Sequence, residues 1–250
     1  MLKLSVITIT YNNLAGLKLT FGSIFSQTFK NFELIVIDGG SVDGTELYLK
    51  EHSYQITTWL IEEDSGIYNA QNKGIRLAKG EYLYFLNSGD ELASDDVFEK
   101  IFSATHKEDL LYGNMYFKRG RKLVAGELPD KLSASYLYRG TIWHPASFTR
   151  KTLFEQYGNF DEGFRIAADY DFFLKIVLKY KVSYKHLQVF ISIFHDDGVS
   201  SDPKNKDIVK RERAVVHERY LTLNEIEKGK NEVRKQNSLL FRFKSKFFKN

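Results

Sequence analysis

The sequence predicts an α/β fold built on a mostly parallel sheet with helices on both faces. Two observations carry that reading. Short apolar runs rich in β-branched and aromatic residues, at 4–10, 32–38, 56–61 and 82–86, alternate with segments of helical spacing. Strands and helices in alternation form right-handed βαβ units. The second observation is where the runs end. Polar or acidic clusters follow them: Thr8 to Asn12, Asp38 to Thr45, Asp64 to Ala70, and Asn87-Ser88-Gly89-Asp90. Ligands of open parallel sheets sit beyond the carboxyl ends of the strands, so four clusters from distant segments describe one site.

The run 4–10 is apolar enough to be buried on both faces. Leu17, Phe21, Ile24 and Phe25 then recur at helical spacing. The run 32–38 leads into the turn Gly39-Gly40-Ser41, and 43–51 reads as a helix. Helical spacing returns over 67–78, with Gly80 the expected cap. In the second half, 95–103, 152–157 and 169–180 read as helices. The segments 110–117 and 122–125 pair as a hairpin across Arg119-Gly120. Residues 182–194 are strand-rich, and 208–226 suit one long helix.

A chain of 250 residues, 43% hydrophobic and 27% charged, can bury a full core and has an ordinary globular composition. It has no cysteine, which excludes disulfides and thiolate metal sites. No window nears the roughly 20 apolar residues of a spanning helix. The N-terminal residues show no apolar run of signal-peptide length, so a cytosolic location is expected. The net charge is only +4, and no nucleic-acid partner is expected. The basic excess is uneven, because residues 226–250 hold eight Lys or Arg against two Glu.

The candidate site residues each have two readings. Asp38 closes a strand ahead of a Gly-rich turn, where an acid can bond a base or ribose hydroxyl. It also suits a simple turn, with Asp43 capping the next helix. No GxGxxG or GKS/GKT is present, so dinucleotide and P-loop readings lose support. Asp90 offers oxygen for Mg²⁺ or Mn²⁺ beside a diphosphate, or is an exposed turn acid. Asp169 and Asp171 cannot share one helical face, so one is expected to face a site and the other solvent. Both also complement a helix dipole. His144 before Pro145, and His195 before Asp196-Asp197, are structural or functional.

The order of these motifs resembles family 2 glycosyltransferases. The matching segments are Ser5-Val6-Ile7-Thr8-Ile9-Thr10-Tyr11-Asn12, Glu33 through Asp38 to Thr45, Asp64 to Gly74, Gly80 to Asp90, Gly158-Asn159-Phe160-Asp161 and Ala168-Asp169-Tyr170-Asp171. The resemblance covers roughly residues 4 to 200. It implies a GT-A fold, a nucleotide-sugar donor, a divalent cation and inversion at the anomeric carbon. Thr8 and Tyr11 would line the nucleotide pocket, with Ser88 on the donor side. Asp38 would bond the base, most often uracil, and Asn72 and Lys73 would approach the ribose or diphosphate. Asp169 would be the catalytic base. Ala168 stands where the family has Glu.

The family's Asp-x-Asp falls on Asn87-Ser88-Gly89, with Asp90 just after. This form is similar to the exopolysaccharide subgroup that includes colanic acid transferases. Asp90 becomes the main candidate ligand for Mg²⁺ or Mn²⁺, with His195 the second candidate and His144 a candidate acceptor contact. The expected enzyme moves a sugar from a nucleotide-sugar donor, expected to be a UDP-sugar, to a hydroxyl of a glycan or lipid-linked acceptor in cell-surface polysaccharide synthesis. The alternative is a nucleotide-sugar-binding module with weak turnover. The expected division is a transferase domain over 1–225, with a donor half (1–110) and an acceptor half (111–200), then a basic tail (226–250). Within that tail, 238–250 mix Phe and Leu with Lys and Arg and contain no acid. Such a segment suits peripheral contact with anionic membrane at the inner face.

Overall fold

A computed structural model describes residues 2–195, 198–199 and 201–247, apart from the side chains of 236–247. The first half runs β1 (Leu4–Thr10), α1 (Leu14–Phe25), β2 (Phe32–Asp38), α2 (Thr45–Glu51), β3 (Thr58–Ile61), α3 (Ile67–Leu77) and β4 (Tyr82–Phe85). The second half adds β5 (Glu91–Leu92), α4 (Val97–Phe102), β6 (Leu110–Arg119), β7 (Lys122–Gly126), α5 (Ala134–Arg139), β8 (Ser147–Arg150), α6 (Lys151–Tyr157), α7 (Ala168–Leu174), β9 (Tyr184–His195), α8 (Lys206–Tyr220) and α9 (Leu223–Phe247).

The strands form one sheet in the order β3-β2-β1-β4-β8-β6-β9-β5, with β7 paired to β6. Side chains along β1 and β2 alternate between two cores, as the period of two requires. Leu4, Val6, Leu34 and Val36 face the layer of α1 and α4, with Phe21, Ile24, Phe98 and Ile101. Ile7, Ile9, Ile35 and Ile37 face the layer of α3, α6 and α7. There Phe154 and Phe172 stack with centroids 4.4 Å apart, and Phe160 meets both edge-on. Strands buried on both faces explain the near-continuous apolar runs.

The sheet is parallel through β3-β2-β1-β4, and β6 and β9 are also parallel. Elsewhere it is mixed: β8 lies antiparallel between β4 and β6, and β5 and β7 are antiparallel to their neighbours. The hairpin across Arg119-Gly120 is present, with Arg119 opposite Lys122. A connection that short joins only antiparallel strands.

Three expected boundaries change. Gly80 does not cap α3; Ala78 does so in an extended conformation. A Cβ at Gly80 would fall 2.5 Å from the Ser5 nitrogen, so this glycine admits β1 instead. The expected helix 169–180 is α7 followed by a π-helical turn over Lys175–Lys179. The expected helix 208–226 is two helices. Leu221 is extended, and Thr222 and Glu225 form a capping box: the Thr222 N–H donates to Glu225 Oε2 at 2.8 Å, and the Glu225 N–H to Thr222 Oγ1 at 3.3 Å. The first turns of α9 reach α5, where Glu232 meets Arg139 at 3.4 Å and accepts from Ser135. The side chains of 238–247 and residues 248–250, on which the membrane reading falls, lie outside the described residues.

Candidate active site

Register brings the polar clusters together. Thr10 pairs with Asp38, and Asp38 with Ile61, so β1, β2 and β3 end at one level. The Gly39 N–H donates to Thr10 O and the Ser88 N–H to Ile9 O, which carries the turns after β2 and β4 to that level. The strand order reverses between β1 and β4, the place where such sheets open a crevice. Asn13 spans it: its Oδ1 accepts the Gly16 N–H that starts α1, and its Nδ2 donates to Ser88 O at 3.1 Å. A cavity of about 1270 Å³ occupies this crevice. Residues of all four clusters line it, together with His144, Glu162, Arg165, Asp169 and His195.

Six of the expected site residues line the cavity: Tyr11, Ser88, Asp90, His144, Asp169 and His195. Thr8, Asp38, Asn72 and Lys73 lie behind the wall, and all four are buried. Thr8 belongs to β1 itself. Asp38 accepts from the Ser41 hydroxyl at 2.5 Å and from the Ser41 N–H at 3.2 Å. Burial pushes its carboxyl up, and the Ser41 hydrogen bonds oppose that only in part. It shapes the Gly39-Gly40-Ser41 turn, over which Tyr11 and Asp64 converge. A Cβ on Gly39 would stand 3.1 Å from Asp64 Oδ2 and 3.2 Å from Tyr11 Cδ2.

Asn72 and Lys73 are committed to protein partners. Asn72 Nδ2 donates to Phe160 O and Glu162 Oε1, and its Oδ1 accepts the Phe160 N–H. Lys73 Nζ bonds Asp64 Oδ1 at 2.6 Å, Glu62 Oε1 at 2.8 Å and Glu63 O at 2.9 Å, which uses its three donors. Desolvation acts downward on this ammonium, but the hydrogen bonds to Asp64 and Glu62 outweigh it and hold its pKa up. Both residues therefore brace α3 against the walls of the cavity.

Asp169 sits in the first turn of α7 with its carboxylate held on both oxygens. Oδ1 accepts from the Tyr68 hydroxyl at 3.0 Å and from the Tyr170 N–H at 2.8 Å. Tyr68 also reaches the Ile166 carbonyl. Its hydroxyl is held well above its ordinary pKa by burial, with the Asp169 charge adding, so it stays a proton donor. Oδ2 lies 3.2 Å from His144 Nδ1. The loop before α7 is pinned from α8, where Glu212 accepts the backbone N–H groups of Arg165, Ile166 and Ala167 at 2.7–2.9 Å. Asp171 does not face solvent as expected. It is buried and accepts from Arg219 at 2.8 Å and from Tyr220 at 3.3 Å.

Asp90 follows the turn at Ser88-Gly89 between β4 and β5, and the pairing of β5 with β9 brings His195 close. Asp90 Oδ1 accepts the His195 N–H at 3.3 Å, while His195 Nε2 sits 2.8 Å from Glu91 Oε1. Among the described residues no group of three or more His, Asp or Glu is arranged to hold a metal ion. The oxygen donor of Asp90 still suits Mg²⁺ or Mn²⁺ shared with a diphosphate, because such ions take only one or two protein carboxylates. Asp196 and Asp197 lie outside the described residues.

Sequence reasoning missed the roles of Tyr68, Asp64, Glu162 and Glu212. The first two lie in a cluster already assigned to the site. No sequence signal marks Glu212, which acts from 45–47 residues away.

The chain and its fold are similar to known proteins. The profile of Glycosyl transferase family 2 matches residues 5–167, and the chain belongs to that family. It is similar to an uncharacterized glycosyltransferase of Mycobacterium tuberculosis (36% identity over 179 residues, 70% of this chain and 68% of the relative). A PGL/p-HBAD biosynthesis glycosyltransferase of Mycobacterium bovis is 30% identical over 215 residues, 83% of this chain and 82% of its own. Among solved structures, S. aureus TarS 1–349 in complex with UDP-GlcNAc superposes with a TM-score of 0.68 at 20% identity, covering 90% of this chain and 69% of that one. The mannosyltransferase PcManGT of Pyrobaculum calidifontis, in complex with GDP-Man and Mn²⁺, gives 0.61 at 15%, covering 94% and 75%. The chain is a glycosyltransferase with a GT-A fold.

Proposed function

We propose that the enzyme is an inverting transferase that moves a sugar from a UDP-sugar to a hydroxyl of a glycan or lipid-linked acceptor. The observation that carries this is Asp169, an anchored carboxylate on the cavity wall. It takes the proton of the acceptor hydroxyl as that oxygen attacks the anomeric carbon, and the nucleoside diphosphate departs from the opposite side. One carboxylate suffices for such a displacement, whereas glycoside hydrolysis needs two. The neighbouring Glu162 is spent on Asn69 and Asn72, whose hydrogen bonds hold its pKa down.

The uracil lies over Gly39 between Tyr11 and Asp64, and the diphosphate runs toward Ser88 and Asp90. Asp90 would hold a divalent cation, which would supply positive charge beside the diphosphate. The TarS structure carries UDP-GlcNAc, which supports the donor side of the reading, and one mycobacterial relative is named for PGL/p-HBAD biosynthesis, which fits a cell-surface product. The test is a thermal-shift panel of nucleoside diphosphates and their sugars, with and without Mn²⁺. A ligand that binds only the fold raises its melting temperature by mass action. UDP and one UDP-sugar should stabilise the protein, more so with Mn²⁺. Stabilisation by GDP alone would overturn the uracil assignment, and a UDP shift unaffected by Mn²⁺ would remove the cation.

A further inference from the structure

Four side chains from four parts of the chain form a string that ends on Asp169. Gln71 Nε2 is 3.4 Å from Asn87 Oδ1, Asn87 Nδ2 is 3.4 Å from His144 Nε2, and His144 Nδ1 is 3.2 Å from Asp169 Oδ2. Gln71 is buried, and all four line the cavity. We propose that Asn87 and His144 are positioning residues that fix one imidazole tautomer and through it aim the Asp169 carboxylate. The inference rests on Asp169 being the base.

The direction of the string follows from what each group can donate. An ionised carboxylate only accepts, so His144 Nδ1 must carry a proton. A neutral imidazole then presents Nε2 as an acceptor, which needs a donor opposite it. The Asn87 amide nitrogen is that donor, and its oxygen is turned toward the Gln71 amide. A carboxylate has about four lone-pair sites. On Asp169, Tyr68 and the Tyr170 N–H take those of Oδ1, and His144 takes one on Oδ2. One site on Oδ2 remains for the proton of an acceptor hydroxyl. Both nitrogens of His144 are occupied by protein partners, which leaves it no free donor or acceptor for the substrate.

The string also accounts for asparagine where the family pattern has an acid. An aspartate at 87 would face Nε2 with a second acceptor. The imidazole would then be held between two carboxylates as an imidazolium, and that charge would make Asp169 a weaker base.

The tautomer can be read without substrate. Long-range ¹H–¹⁵N correlation on the full chain, with His144 assigned by its loss in His144→Gln, should show the Nδ1–H neutral form at alkaline pH. At neutral pH the near-isosteric Asn87→Asp should show more of the imidazolium pattern than the wild type, and Asn87→Leu should release a mixture of tautomers. The other five histidines, unchanged in each spectrum, certify the fold. In turnover of the UDP-sugar found by the panel, His144→Ala should lower kcat by about 10–100-fold with KM unchanged, the scale of a misaligned reacting group. An Nε2–H tautomer in the wild type, a His144 signal indifferent to Asn87→Asp, or unchanged kcat would each overturn the inference. A correct tautomer with full turnover in Asp169→Asn would instead defeat the assignment of the base.

Discussion

At the scale of single residues, the site separates groups that face the cavity from groups that hold its walls. Asp38 belongs to the second kind. It is fully buried, its carboxyl is raised by desolvation, and its partner is Ser41. Asp38→Ala should weaken binding of free UDP and of UDP-sugar alike, because the turn under Tyr11 and Gly39 loses its acceptor. Calorimetry with UDP decides this: unchanged affinity would leave Asp38 no part in the nucleotide pocket. The raised pKa adds a second consequence. A carboxyl with a folded pKa above its unfolded value costs stability once ionised, so stability falls as pH rises through that window. Asp38→Asn, which keeps an acceptor for Ser41, should therefore raise the melting temperature at neutral pH. An unchanged or lower value would show that the charge is not a burden to the fold.

At the scale of elements, α8 serves as a clamp on the segment that carries Asp169. Glu212 accepts three backbone N–H groups just before α7, and hydrogen bonds to a charged acceptor are worth about 1.5–3 kcal/mol each. Glu212→Ala should cost about 2 kcal/mol or more in denaturant unfolding and lower kcat further than Glu212→Gln, which keeps an acceptor. Equal stability of wild type and Glu212→Ala would reduce the clamp to a surface contact. On the same helix His217 sits beside Tyr170, 2.9 Å from its hydroxyl, and stacks on Tyr138. Burial, with the Arg213 charge adding, pushes its pKa from 6.5 down to about 4. Between those values the unfolded chain binds the proton and the fold does not, so stability is lost as pH falls through that window. His217→Gln should flatten the drop in melting temperature between pH 6.5 and about 4.

The βαβ half was legible because each strand there is buried on two faces and reads as an apolar run. The cavity was legible for the same reason, since the polar clusters begin where those runs stop. The second half hid more. β5 has two residues and β8 four, too short for a pattern, and α5 shows a single fully buried residue, Leu137. The break between α8 and α9 did carry a signal, the Thr222-x-x-Glu225 box, but the flanking segments continue at helical spacing across it. Side chains that serve as braces, such as Asn72 and Lys73, look the same in sequence as side chains that face a ligand. Only their distances to Glu162 and Asp64 separate the two.

At the scale of the whole molecule, the cavity is lined from both halves, by the ends of β1–β4 and by α7 with the segment around His144; in the proposed reading the first supplies the donor wall and the second the reacting groups. No helix among the described residues is long and apolar enough to cross a membrane. We propose peripheral contact through 238–250, whose Phe and Leu alternate with Lys and Arg. Deleting 238–250 should reduce binding to anionic liposomes and leave transfer to a soluble acceptor analogue largely unchanged. Equal liposome binding by both forms would return the segment to an ordinary helix end.

The central claim is that Asp169 is the one base of a displacement at the anomeric carbon. It is tested most directly by comparing Asp169→Asn with the wild type in release of UDP from the stabilising UDP-sugar in the presence of acceptor, with UDP affinity measured on the same samples. The asparagine oxygen keeps the hydrogen bonds from the Tyr68 hydroxyl and the Tyr170 N–H, but the side chain cannot take the proton. Turnover should fall by about two orders of magnitude or more, the scale of a lost general base, while UDP affinity stays within about twofold. Turnover near that of the wild type, at equal affinity, would contradict the assignment.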